Sequence, residues 1–269
     1  MTAPARRTRE VGAAILSVAI GIGMLGCRLS LSPLQNRIAV GSEPFFVFVA
    51  DGEAGMGDLF AARSEGGPVY PVTFTRLHET MPVLAPGGTA LAFLRTRQPA
   101  DSADYRVVVL NLVNGAERTL FSASEGGSIR HLGWNHDGTA LYVATDAAVY
   151  EVTSPPAPLR QAMLGPSALA RADSVFRVHV GSPNFAEVRA CRTGGAEDGL
   201  CAVPRGGDES PLVTSGRDPV RWGPDSVGYY TDDELEVRPV GPGSARRVRL
   251  MSAPTNPRMP TYSSGGRPQ

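Results

Sequence analysis

Few side chains in this sequence are spaced for reaction chemistry, and their types exclude several reactions outright. All 26 basic residues are arginine. Without lysine there is no Schiff-base amine and no phosphate-binding P-loop lysine. No G-x-S-x-G elbow presents a nucleophilic serine. His131 and the pair His136-Asp137 are close in sequence. The first falls on an expected strand and the pair in a turn, so they lack the helical spacing of metalloprotease ligands. Asp137 holds the turn position where an aspartate bonds nearby backbone. Cys191 and Cys201 are ten residues apart, with Gly194, Gly195 and Gly199 between them. With no third or fourth ligand nearby they make a poor zinc site. A hairpin would bring them to disulfide distance, and two reduced thiols are the alternative. No catalytic residue, metal ligand or cofactor is expected.

The elements that position these residues read as β-structure. Glycine and proline account for 31 and 23 of 269 residues, well above their usual share of roughly 12%. From residue 35 onward, apolar stretches of four to eight residues are punctuated by Gly, Pro, Asn and Asp clusters, with no helical period. The turns recur. Trp134-Asn-His-Asp-Gly-Thr-Ala-Leu-Tyr-Val143 aligns with Leu84-Ala-Pro-Gly-Gly-Thr-Ala-Leu-Ala-Phe93 and with Trp222-Gly-Pro-Asp-Ser-Val-Gly-Tyr-Tyr230. Weaker copies begin at Val40 and Val180. A period in the forties with several short strands per unit predicts a propeller, in which each sheet covers its neighbours' faces. Asn114-Gly115 is a strong hairpin signal inside one unit.

Period 2 sorts the strand that enters each unit. Ile38 and Val40, Pro82 and Leu84, Leu132 and Trp134, Val178 and Val180, and Val220 and Trp222 fall on one face. Arg37, Glu79, His131, Arg177, His179, Arg217 and Arg221 fall on the other. These seven are the candidate channel-lining or ligand-binding residues. Arginines with two histidines would favour an anion, the alternative being inter-blade ion pairs or plain solvation. Glu79, Asp173 and Asp218 lie near strand entries and are the carboxylates that a glycosidase-like reading would recruit.

The N-terminus reads as an address. Arg6, Arg7 and Arg9 precede the apolar run 11–25, the pattern of a secretory signal; about 20 apolar residues would be needed to span a bilayer. Met24-Leu25-Gly26-Cys27 resembles the bacterial lipoprotein signal, with methionine where leucine is usual. That resemblance implies cleavage before Cys27 and acylation of its thiol. Arg28 stands where an aspartate would retain a Gram-negative lipoprotein at the inner membrane, which in a Gram-negative cell implies the periplasmic face of the outer membrane; the cell surface is the alternative. Cleavage would remove three arginines and Glu10, leaving a net charge of −2, and no basic, aromatic face suggests nucleic acid.

The Trp-x-x-Asp-Gly-x-x-Leu-Tyr unit resembles the repeat of TolB-type β-propellers, over residues 35–250. That family carries a further N-terminal α/β domain and six blades, so the five units here look like a stand-alone relative. The expectation is an all-β protein: a lipoprotein signal over 1–26, a tether over 27–34, a β-propeller of five blades (six possible) over 35–250, and a disordered tail over 251–269, the alternative for the tail being a strand that completes the first blade. Its expected function is non-catalytic binding of a protein or cell-envelope component at a membrane reached through the lipid anchor. The alternatives are a small-ligand enzyme at the channel mouth and a sensor or assembly lipoprotein of an envelope complex.

Overall fold

The run FFVFVAD of β1 (Phe45–Asp51) has no polar alternation, and its residues 45–50 are all buried from solvent. A strand reads this way when both of its faces meet other sheets. The computed structural model describes residues 31–52, 55–135, 137–153, 160–164, 178–179, 185–193, 196–204 and 208–265. β1 is followed by β2 (Gly57–Arg63), β3 (Gly67–Pro68) and β4 (Tyr70–Pro71). The second group is β5 (His78–Leu84), β6 (Ala90–Thr96), β7 (Arg106–Asn111) and β8 (Glu117–Ser122), ending in the single-turn helix α1 (Ala123–Gly126). The third is β9 (Ile129–Trp134), β10 (Ala140–Thr145), β11 (Ala148–Thr153) and β12 (Arg160–Leu164). The fourth is β13 (Val178–His179), β14 (Phe185–Thr193), β15 (Ala196–Pro204) and β16 (Ser210–Val213). The fifth is β17 (Arg217–Arg221), β18 (Ser226–Thr231), β19 (Glu234–Pro239) and β20 (Arg246–Val248), after which come β21 (Leu250–Met251) and β22 (Arg258–Ser263).

Among the described residues these strands form five four-stranded antiparallel sheets, plus a short parallel pair between β21 and β3. Blades 2 to 5 run in simple sequence order, whereas blade 1 has the order β22-β1-β2-β4. The first strands lie innermost: β5 packs on β9, β13 on β17, and β22 on both β17 and β5. The chain is thus a five-bladed β-propeller. Its core lies between blades. Phe45, Val47 and Val49 pack with Leu91 and Phe93 of blade 2, and Phe46, Phe48 and Ala50 with Trp222, Tyr230 and Leu235 of blade 5. Alternate residues of one strand therefore serve two interfaces. Leu94, Val107 and Phe121 meet Leu132, Leu141 and Val143 between blades 2 and 3. Val188, Leu200 and Ala202 meet Val227 and Tyr229 between blades 4 and 5.

The repeated turns link inner strand to second strand. Gly88 and Gly138 have φ of +72° and +73°, a conformation glycine adopts without strain. A Cβ at Gly88 would also lie 2.3 Å from the Ser263 hydroxyl.

Two expected boundaries are corrected. Residues 258–263, read as part of a disordered tail, are the inner strand of blade 1, with Phe45 opposite Ser263 and Val47 opposite Thr261. The prolines that suggested disorder are tolerated because Pro260 sits at a bulge. The expected tether also ends early. Leu34 and Ile38 are buried in the core between blades 1 and 2, and the Ser32 hydroxyl donates to the Leu112 carbonyl.

The closing strand is held from both sides. The Met259 amide donates to Asp218 Oδ2 at 3.1 Å, and Arg217 Nη2 donates to the Pro257 carbonyl at 3.0 Å. From blade 2 the Leu84 amide donates to Thr261 Oγ1 at 3.0 Å. Tyr262 stacks on Trp222 with ring centroids 4.6 Å apart.

Candidate functional site

Three inner strands share a local irregularity. Met81, Asp218 and Met259 have φ near +50°, and each precedes a proline: Pro82, Pro219 and Pro260. The pairing register shifts at each of these points. A residue forced to φ > 0 beside a ring that cannot donate a hydrogen bond makes a bulge, which bends the strand and re-aims its side chains. The bulges face the ring axis. They line a central cavity of about 470 Å³, to whose wall Val83, His131, Leu132, Val188 and Arg189 also contribute among the described residues.

Among the described residues the wall is mainly apolar, with Arg189, Asp218 and His131 as its ionisable side chains. Arg189 pairs with Glu209. Asp218 Oδ2 accepts from the Met259 amide and from Arg217 Nη1 at 3.1 Å. His131 is exposed on the wall.

The other candidates lie elsewhere. Arg37 precedes β1 in a turn segment, not an inner strand, because the inner strand of blade 1 comes from the far end of the chain. Its guanidinium lies over the Tyr70 ring, 5.5 Å from the centroid. Glu79 is fully buried, accepting from Thr75 Oγ1 at 2.7 Å, Thr73 Oγ1 at 3.1 Å and Arg95 Nε at 2.9 Å. Arg95 also forks onto Glu117 at 2.6 and 3.0 Å. Arg217 spans blade 5 and the closing strand, with its guanidinium 5.4 Å from the Tyr230 ring. Arg221 Nε donates to the Gly223 carbonyl at 3.0 Å. Glu79, Arg217 and Arg221 are therefore corrected from channel candidates to bonds within and between blades. For Glu79 and Arg217 the reason is the bulge: a one-residue shift between Thr80 and Val83, and between Arg217 and Val220, inverts the parity that period-2 counting assumes. His179 lies on β13 opposite Glu187; Arg177, Asp173, His136 and Cys27 lie outside the described residues. The repeated Met-Pro and Asp-Pro dipeptides were the signal that would have found the cavity wall and the closing strand.

Other expected chemistry falls into structural roles. Cys191 and Cys201 form a disulfide across the β14–β15 hairpin, with Cα atoms 5.8 Å apart. Asp137 Oδ1 accepts from the Thr139 hydroxyl at 2.6 Å and the Thr139 amide at 3.0 Å. These bonds hold its carboxyl below the usual range. Among the described residues no three His, Cys, Asp or Glu side chains are grouped to hold a metal. His78 Nδ1 accepts from the Gly57 amide at 3.0 Å, joining blades 2 and 1. Burial, and next the Arg258 guanidinium, push this imidazole below its ordinary value of 6.5 against the opposing pull of Glu79 and Asp51.

No protein-family model matches the sequence, and no curated protein matches it. Solved structures do. A chain in the crystal structure of a nidogen/laminin complex is 9% identical with a TM-score of 0.52, over 81% of this chain and 98% of that one. The likeness is one of fold. TolB from Acinetobacter baumannii is 9% identical with a TM-score of 0.46, over 81% of this chain and 66% of that one. A TolB structure from Agrobacterium tumefaciens is 11% identical with a TM-score of 0.37, over 76% and 61%. This chain thus spans just under two thirds of the TolB chains.

Proposed function

We propose that this propeller is a non-catalytic recognition module, exported and held at a membrane by acylated Cys27, that binds a protein or another component of the cell envelope. The observation that carries the reading is how the ring commits its ionisable inner residues. Glu79 and Asp218, two of the three carboxylates a glycosidase would recruit, are bonded to neighbouring strands. The ring keeps a rigid frame and offers loop-bearing ends, surfaces on which propellers of many functions place their contacts. Export agrees with the basic segment and apolar run of residues 1–25 and with a disulfide between Cys191 and Cys201. Acyl chains at about 0.8 kcal/mol per buried CH₂ would concentrate the domain at a membrane surface.

Palmitate labelling of the wild type and of Cys27→Ser tests the anchor: label is expected in the first and absent from the second. Capture from envelope extracts by the acyl-free domain (residues 28–269), followed by titration with the purified partner, tests recognition. Saturable binding is expected. Turnover of glycosides by the same domain, with no saturable partner, would overturn the reading.

A further inference from the structure

The two ends of the ring differ, and the chain leaves toward Cys27 from only one of them. In blade 2 the β5–β6 and β7–β8 turns share one end, where the Leu112 amide donates to the Thr89 carbonyl at 2.9 Å. Residues 32–43 lie against this end. Ser32 bonds Leu112, Leu34 is fully buried in the core below, and Gly41 lies close to the Thr89 side chain. Leu31 and Val113 stand out beside them, 69% and 58% exposed. Together with Ile38 and Val40 they line a shallow groove. The segment between β4 and β5 lies at the opposite end, and there Phe74 is 81% exposed.

We propose that the Leu31–Val113 end is the membrane-contacting face, and that its occupant is the bilayer surface. The inference rests on the anchor reading above and adds an orientation to it. Four residue steps separate Leu31 from Cys27. They span at most about 14 Å of chain, less than half the thickness of a hydrocarbon core of about 30 Å. An acylated Cys27 therefore holds this end against the headgroups, whatever path those residues take. Solvent-exposed leucine and valine side chains beside the anchor point suit the acyl–headgroup boundary. The β4–β5 loop and Phe74 then face away from the lipid, toward the partners of the module.

The test uses the acylated full chain in vesicles of phosphatidylethanolamine and phosphatidylglycerol doped with brominated lipid. An indole is introduced singly by Val113→Trp or Phe74→Trp, above the background of Trp134 and Trp222. Both positions are exposed, and circular dichroism confirms folding. The expected result is added quenching for Val113→Trp at least several-fold greater than for Phe74→Trp, reduced when Leu31→Asp accompanies Val113→Trp. Palmitate incorporation is measured on the same preparations. Label at Cys27 with quenching equal at both sites, or greater for Phe74→Trp, overturns the orientation and leaves the anchor standing. Absence of label removes the anchor and the orientation with it.

Discussion

Blade 1 joins two distant stretches of chain through a strand buried on both faces, whereas blade 4 carries the long β14–β15 hairpin under a disulfide. β1 pairs with β22 from more than 200 residues away; Cys191 and Cys201 are separated by ten. Non-local pairing must first offset a large loop-closure entropy. Blade 1 offsets it with aromatic burial: Phe46 touches both Phe48 and Trp222, with ring centroids 5.6 and 5.1 Å apart. The buried hydrophobic residues described in blade 4 are smaller, namely Val188, Leu200, Cys201 and Ala202. There a covalent link restricts the unfolded chain instead. One fold thus fastens its sheets in two ways, according to how far apart in sequence the partners lie.

The sharpest way to break the contrast is Phe46→Ala. Removing a fully buried ring between blades 1 and 5 is expected to cost about 3–5 kcal/mol, read as a lower midpoint in urea unfolding. A loss below about 1 kcal/mol would mean that closure does not rest on aromatic packing. Next in size is Cys191→Ala with Cys201→Ala. Opening a ten-residue loop is expected to cost roughly 2–3 kcal/mol by the chain-entropy relation, and dithiothreitol should destabilise the wild type while leaving the double variant unchanged.

Asp218→Ala tests the latch. Loss of the bond from the Met259 amide, and of a residue type suited to φ > 0, should cost about 1–3 kcal/mol. Asp218→Asn should recover most of this, since asparagine keeps both an acceptor and that backbone preference. The smallest effect is at His78. Its folded pKa lies below the ordinary 6.5, so the unfolded chain takes up the proton first. The contribution is fully present above pH 6.5 and is lost as pH falls through the folded value. Urea midpoints between pH 7.5 and 5 should therefore decline less in His78→Gln than in the wild type.

Much of this architecture was readable from short stretches. Asp137-Gly138 and Asn114-Gly115 dictate turns through side-chain bonding and a glycine at positive φ, and the copies at Leu84, Trp134 and Trp222 each sit where an inner strand hands over to the second strand of its blade. The Val40 copy has the turn and the second strand without the first, because no nearby sequence supplies it.

The candidate site was less readable for the same reason. His131 sits on the cavity wall, on an inner strand where counting by two needed no correction for a proline bulge. Glu79 and Arg217 lie beyond such bulges, and Arg37 lies on no inner strand at all. Turn chemistry, strand content and the repeat are local properties, so the sequence determined them by itself. Ring closure, the facing of each inner side chain and the end from which the chain leaves depend on pairings between segments as much as 218 residues apart, as Phe45 and Ser263 are, and only the tertiary structure decides those.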